Sequence, residues 1–290
     1  MRLVTLRTPG GTRAGRVDGD EVVELRYADV GSLLSAGDDW RNLAAADGPR
    51  HALAAADLAP VVPRPGKIIC LGLNYVSHIT EMGHELPRYP TLFAKFAGAL
   101  IGARDAICMP SVSEQLDWEA ELAFVIGGHA RHVPTDRALN SIAGWTVFND
   151  VTVRDYQRRT SEFLSGKTFE QTSPLGPALV TREEASEDGL GLDIECTVDG
   201  SRVQHGNTAD LRFTPADIVA YVSSIVTLDP GDIVATGTPA GVAAARTPPP
   251  WLRSGQVVRT AIAGIGELVN QCRPEAPPPD GRLDHLSGRV

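Results

Sequence analysis

Polar and apolar positions alternate through QLDWEA, residues 115–120, and the alternation stops a few residues later. In an extended chain alternate side chains share a face. Asp117, Glu119 and Glu121 are therefore expected on one side, with Trp118, Ala120 and Leu122 on the other. From Leu122 to Ile126 both sides are apolar, which predicts a strand whose far end is buried on both faces. Further short β-favouring runs follow Lys67: KIICLGLNY, SIAGWTVFND, LDIECTVDG, SRVQHG, GDIVATG and QVVRTAIAGIGELVN. Helical patterns are fewer, TDRALNSIA and TPADIVAYVSSIV, the second opened by Thr214 as N-cap with Pro215 behind it. The Asp-Gly pair of VDGSR predicts a hairpin. Ahead of Lys67, RLVTL and EVVEL read as strands, NLAAADGPRHALAAADLAP as helix, and PVVPRPG as punctuation. These patterns predict a β-rich α+β protein: a small N-terminal domain (1–66), a strand-rich domain (67–272) and a flexible proline-rich tail (273–290).

Composition narrows the class. The chain has 290 residues and a net charge of −9 with both signs dispersed, so there is no basic stripe for nucleic acid. No run approaches the ~18 apolar residues of a membrane span, and the first residues, MRLVTLRTPGGTRAG, lack the apolar core of a secretion signal. Cys70, Cys108, Cys196 and Cys272 are widely spaced without a C-x-x-C pair, and are expected as reduced core thiols of a cytoplasmic protein.

Acids crowded at the mouth of a buried strand repel one another and resist desolvation, so they need compensation. Taken alone, the strand fits a polar edge face as well as a metal site. Asp150, closing the apolar run AGWTVFND, shifts the balance, because Glu119, Glu121 and Asp150 make an all-oxygen set suited to Mg²⁺ or Mn²⁺. Asp117, at the strand entry, is expected to be solvated or to stand behind the ligands. Gly166-Lys167-Thr168 resembles the end of a phosphate loop, but position 161 is Ser where that loop needs Gly. Lys167, flanked by Phe163, Leu164 and Phe169, is a candidate to stabilise an enolate, against the alternative of a surface lysine. His78 and Glu81 are three apart and would share one face of a helical turn, where a carboxylate raises the basicity of a histidine; taken alone, the pair fits a solvated histidine on a flexible loop better. Asp150, Arg154 and Gln157 would face one side if their stretch is helical, and GDIVATGTPAGV offers a Gly-rich turn after a strand. No G-x-S-x-G elbow or H-E-x-x-H zinc motif occurs.

Five stretches in this order resemble the fumarylacetoacetate hydrolase family: KIICLGLNYVSHITE, LDWEAELAFVIG, FNDVTVRDYQ, SGKTFEQTSPLGPALVT and PGDIVATGTPAGV. The resemblance spans roughly Lys67 to Asn270 and implies a mixed β-sandwich roll with few helices behind a small leading domain. It implies a divalent-metal triad at Glu119, Glu121 and Asp150, with Mg²⁺ or Mn²⁺ as cofactor. A His–Glu dyad on a lid falls at His78 and Glu81, and a catalytic lysine at Lys167. Substrate contacts fall at Arg154, Gln157, Gly237 and Thr238. Glu170 departs from the family's usual aspartate. A homodimer acting on a small 2-oxo acid follows, with no membrane or nucleic-acid partner. The leading expectation is hydrolysis of a C–C bond in acylpyruvate-type β-diketo acids through a metal-bound enolate. Decarboxylation of oxaloacetate-like acids, or isomerisation of unsaturated oxo acids, passes through the same enolate, and a non-catalytic binding homologue is the remaining alternative. Residues 79–90 and the ARTPPPWL loop are expected to shape the substrate pocket.

Overall fold

The computed structural model describes residues 1–276. Four strands lead the chain: β1 (Arg2–Thr8), β2 (Gly11–Asp18), β3 (Glu21–Glu24) and β4 (Arg50–Ala52). β5 (Ile68–Gly72), β6 (Thr91–Ala94), β7 (Leu100–Ile101), β8 (Ile107–Met109) and β9 (Leu116–Asp117) follow. Next come β10 (Ala120–Ile126), β11 (Ile142–Asn149), β12 (Thr152–Val153) and β13 (Ser173–Thr181). The hairpin β14 (Asp193–Val198) and β15 (Ser201–Asn207) precedes β16 (Ile233–Ala235), β17 (Val257–Ile262) and β18 (Gly266–Pro274). Eleven strands make one mixed sheet ordered β4-β3-β2-β1-β13-β11-β10-β16-β5-β6, with β7 beside β13. Five make a second sheet, β15-β14-β17-β18-β8, and β9 with β12 forms a small ribbon. The architecture is α+β and β-rich, as the sequence predicts.

β10 lies inside the large sheet, antiparallel to both β11 and β16. Leu122, Phe124 and Ile126 pack with Trp145, Ile194, Val258 and Leu268 between the two sheets. Ala123 and Val125 pack on the opposite face with Ile68, Cys70, Ile233 and Leu33. All seven residues of β10 are buried, which explains why its alternation fades. The Asp199-Gly200 turn joins β14 to β15 with positive φ at both residues (49° and 77°), the conformation the Asp-Gly pair favours. Thr214 caps the helix Pro215–Ile225 in a reciprocal capping box with Asp217.

Two expectations fail locally. The Ala-rich stretch forms no continuous helix: it holds the end of the short helix Trp40–Ala44 and one 3-10 turn, Leu53–Ala55. Gly48-Pro49 interrupts it, Glu24 N donates to Pro49 O (2.7 Å), and Arg50–Ala52 joins β3 as an edge strand. At the other end, β18 runs through Pro274, with Arg273 opposite Cys108 of β8, two residues into the segment expected as tail. The rest of that expectation, 277–290, lies outside the described residues. Residues 1–66 are joined to the large sheet through β1 and β13, with Arg2 opposite Val180. All four cysteines are free, and Cys70, Cys196 and Cys272 are buried. Among the described residues no helix is long and apolar enough to cross a membrane.

Candidate active site

The strand carrying the acids is not continuous. β9 ends at Asp117 and β10 starts at Ala120, leaving Trp118 and Glu119 outside regular pairing. Asp117 is consequently not solvated, contrary to the first of its two expected places. It is fully buried and accepts from Arg154 Nε (2.7 Å), Ala243 N (2.8 Å) and Ala244 N (3.1 Å). Its role is to hold the guanidinium of Arg154 in place behind the other acids.

Glu119, Glu121 and Asp150 offer carboxylate oxygens that all lie within 4.8 Å of one another, and all three residues are buried. Asp150, just past the end of β11, is tied to Glu119 by its own N–H (2.9 Å to Glu119 O). Asn149 Oδ1 in turn accepts from Glu119 N (3.0 Å). Lys167 Nζ donates to both Glu119 Oε2 (2.5 Å) and Asp150 Oδ2 (2.7 Å). Arg154 Nη2 donates to Glu119 Oε1 (2.6 Å). Lys95 Nζ donates to Asp150 Oδ1 (2.6 Å) and Val151 O (3.2 Å). Glu121 is the exception: its side chain accepts from Gly237 N (2.8 Å) and from no cation among the described residues.

This asymmetry separates two glutamates only two residues apart. Burial pushes the Glu119 carboxyl up, but Lys167 and Arg154 outweigh it and hold the group down at about 2. Burial also pushes Glu121 up, and there Asp150 and Glu119 push the same way, so it stands well above the usual carboxylate range. Counting Asp117, four buried carboxylates face three cations, Lys95, Arg154 and Lys167. The unmatched negative charge falls on Glu121. Three hard oxygen donors converging with excess negative charge fit a divalent cation, and Glu119, Glu121 and Asp150 are the residues that would hold it.

Lys167 is 2% exposed, which excludes the surface-lysine alternative. Burial lowers its tendency to stay charged, yet Asp150 and Glu119 raise it beyond the ordinary lysine value. Gly166 places it there. The helix Leu164–Lys167 lies so close to Arg154–Gln157 that a Cβ on Gly166 would sit 2.4 Å from Gln157 N and 2.5 Å from Val153 O. The Gly-Lys pair that resembles a phosphate loop is therefore a packing device. Gly166→Ala is expected to cost about 1–3 kcal/mol, since neither backbone atom can yield. Urea denaturation checks it, and a midpoint equal to wild type would refute the packing argument.

Asp150 is not on the helix that carries Arg154 and Gln157, contrary to the one-sided helical arrangement considered above. The helix begins at Arg154, and Thr152 Oγ1 bonds Asp150 O (2.8 Å) ahead of it. Arg154 and Gln157 do meet, Nη1 to Oε1 at 3.0 Å. His78 and Glu81 share the helix Val76–Glu81, with His78 Nδ1 3.2 Å from Glu81 Oε2. Gly241 N donates to both Glu81 oxygens (3.1 Å each), so the dyad is pinned to the Gly-rich turn after β16. Gly237 opens that turn at φ 94°, a conformation that glycine favours. A cavity of about 330 Å³ collects His78, Glu119, Glu121, Arg154, Gln157, Lys167 and Thr238, with Leu71, Phe93, Phe163 and Val242 as apolar wall. Met82 and His84 of the expected lid also line it. No residue of ARTPPPWL (245–252) lines it; Ala244, just ahead of that loop, does, and Arg246 turns back onto Val203 O and Gly241 O. Glu170 is exposed and stands outside the carboxylate group.

Sequence reasoning missed Lys95 and Gln204. Lys95 stands in LFAKFAG, the same apolar setting that singles out Lys167. Gln204 has no comparable signal in SRVQHG.

Residues 67–273 match the model of the fumarylacetoacetate hydrolase C-terminal domain. The chain belongs to the fumarylacetoacetate hydrolase family. It is 39% identical over 265 residues to the mitochondrial oxaloacetate tautomerase fahd2 of Xenopus laevis, spanning 87% of this chain and 83% of that one. It is 44% identical over 216 residues to the human mitochondrial oxaloacetate tautomerase FAHD2A, spanning 74% and 68%. Among solved structures, fumarylacetoacetate hydrolase from Exiguobacterium antarcticum superposes with a TM-score of 0.84 at 30% identity, covering 95% of this chain and all of that one. The fold and the family expectation therefore stand, and the chain is of an enzyme family acting on small molecules. Both of these relatives are mitochondrial by name, which does not support the cytoplasmic expectation.

Proposed function

We propose that this chain interconverts the enol and keto forms of a dicarboxylic 2-oxo acid of the oxaloacetate class, with Mg²⁺ or Mn²⁺ held by Glu119, Glu121 and Asp150. The observation that carries the reading is one cavity lined by Glu119 and Glu121 of a buried three-carboxylate group, by Lys167 and by a histidine backed by Glu81. The names of the curated relatives support the substrate class, in preference to acylpyruvate hydrolysis. A divalent cation bound there would supply Lewis acidity to the substrate's 2-oxo oxygen. Glu81 takes the Nδ1 side of His78 and leaves Nε2 to take the proton from C3 of the keto form and return it to the 2-oxygen of the enol, or to carry it the opposite way. Lys167 holds a positive charge beside the oxygen that gains charge in the enolate. The wall of Leu71, Phe93, Phe163 and Val242 keeps bulk water from that oxygen. Tautomerisation needs no attacking water, whereas hydrolysis requires His78 to activate one.

Arg158 favours a second carboxylate on the substrate. It lines the cavity one turn beyond Arg154, and among the described residues its guanidinium has no acidic partner, while Arg154 is consumed by Asp117 and Glu119. Arg158→Leu is expected to raise KM for oxaloacetate about tenfold, the worth of one exposed charge-assisted hydrogen bond. The KM for a monocarboxylic oxo acid should move less than twofold. Equal changes for both substrates would remove Arg158 from recognition.

The deciding assay offers oxaloacetate enol, acetylpyruvate and fumarylpyruvate to the protein with Mg²⁺ or Mn²⁺. Loss of enol absorbance without pyruvate or acid release supports tautomerisation. Cleavage of acylpyruvates with no effect on oxaloacetate would restore the hydrolase expectation.

A further inference from the structure

Gln204 lies on β15 of the smaller sheet and is 2% exposed, yet its amide makes three hydrogen bonds, one of them to a residue that lines the cavity. Its Oε1 accepts from Ala120 N (2.9 Å). Its Nε2 donates to Thr238 Oγ1 (2.8 Å) and to Pro239 O (2.9 Å). The orientation of the amide is fixed by backbone groups that have only one polarity. A flipped amide would set an N–H against the Ala120 N–H and an oxygen against the Pro239 carbonyl. Nε2 is therefore the donor to Thr238, and the Thr238 oxygen is the acceptor. That leaves the Thr238 hydroxyl hydrogen to point elsewhere, and among the described residues it finds no acceptor. Thr238 itself lines the cavity that holds Glu119, Glu121 and Lys167.

Ala120 is the residue between Glu119 and Glu121, so the same amide references the Thr238 hydroxyl to the backbone between the two glutamates. The turn is seated tightly on β15: a Cβ on Gly241 would lie 2.3 Å from Val203 O and 3.3 Å from Gln204 Cα. Strand and turn come from distant parts of the chain, and Gln204 sets their spacing.

We propose that Gln204 is a positioning residue that turns the Thr238 hydroxyl into an obligate donor toward an anionic oxygen of the substrate, its carboxylate or its enolate. The inference rests on the reading that Thr238 faces substrate in this cavity. It predicts a dependence of one side chain on the other that general structural support does not produce. Thr238→Val and Gln204→Met should each lower kcat/KM for oxaloacetate by about tenfold to a hundredfold, the scale of one lost donor at a developing anion. Combined, the two changes should lower it no further than Thr238→Val alone. Thr238→Ser, which keeps the hydroxyl, should stay within about threefold of wild type and remain sensitive to Gln204→Met. Affinity for Mn²⁺, read by electron paramagnetic resonance on each folded variant, should be unchanged. Losses that multiply in the double variant would overturn the proposal. So would a drop in Mn²⁺ affinity matching the drop in activity, because Gln204 would then act on the glutamates. A Thr238→Val protein with full activity would overturn the placement of Thr238 itself. Wild-type inertness toward oxaloacetate together with activity on acylpyruvates would refute only the function above, and the same cycle could be run on that substrate.

Discussion

Glu121→Gln is expected to lower affinity for Mn²⁺ by more than about a hundredfold, since even groups that merely support a metal ligand are worth 10–100-fold. Activity should fall to background while the metal-free protein keeps its melting temperature or gains. The reason is the asymmetry of the carboxylates. Glu119 has Lys167 and Arg154, and Asp150 has Lys95 and Lys167, while Glu121 has one backbone N–H and two negative neighbours. Burial and its two negative neighbours already hold Glu121 well above the usual carboxylate range in the empty protein, so a neutral amide costs little there, while the loaded protein loses a ligand. Glu119→Gln should behave differently, because it leaves Arg154 and Lys167 buried with one fewer counter-charge and destabilises the metal-free protein. For wild type, cation at about 100 times Kd adds about 2.7 kcal/mol, and each kcal/mol is about 2–4 °C in a domain of this size. Thermal melts with and without Mn²⁺, alongside direct titration, test the pair. Wild-type Mn²⁺ binding by the Glu121→Gln protein would remove Glu121 from the ligand set.

What the sequence makes legible follows the range of the physics involved. The double burial of β10, the Asp-Gly hairpin and the Thr214 cap are local signals, and each appears in the structure where the pattern puts it. Asp117 misleads because period-two reasoning assumes an unbroken strand. The interruption at Trp118 and Glu119 takes Asp117 off the edge and buries it under the backbone amides of Ala243 and Ala244. The Ala-rich stretch misleads for a tertiary reason, since its second half finds a strand edge at β3 that outweighs its helix propensity.

The acids of the site are visible as residue types at a spacing, and their partners are only partly so. Lys167 and Lys95 have the same kind of apolar flanks, and the sequence offers no rule for choosing between them. The fold uses both, one on each oxygen of Asp150. Gln204 is one polar residue in an alternating strand, and nothing local tells it from a solvent-facing one. Its significance comes from the register of β15 against the turn after β16, which no short-range pattern encodes.

Lys95→Met carries the largest expected effect on stability. The Lys95 and Asp150 side chains are both fully inaccessible to solvent and lie 2.6 Å apart. Substitution leaves Lys167 on one oxygen of Asp150 and strips the other of its charge partner. Breaking a buried pair from one side costs about 3–5 kcal/mol, because the remaining charge can neither ionise comfortably nor reach water. Two features separate this from a simple packing defect. A divalent cation held by Asp150 offers the stranded carboxylate a new partner, so saturating Mn²⁺ should recover part of the loss. Asp150→Asn in the Lys95→Met background should also recover part of it without metal, because the unpaired charge is gone. Urea denaturation of wild type, both single variants and the double variant, each with and without Mn²⁺, measures all of these. A loss below about 1 kcal/mol, or one that is the same with Mn²⁺ and with Asp150→Asn, would mean that Lys95 supports the site by shape and not by charge. The charge account also predicts a kinetic sign: the folded Lys95→Met protein should need less Mn²⁺, not more, to reach half of its maximal activity, because the cation then relieves a repulsion that Lys95 relieves in wild type.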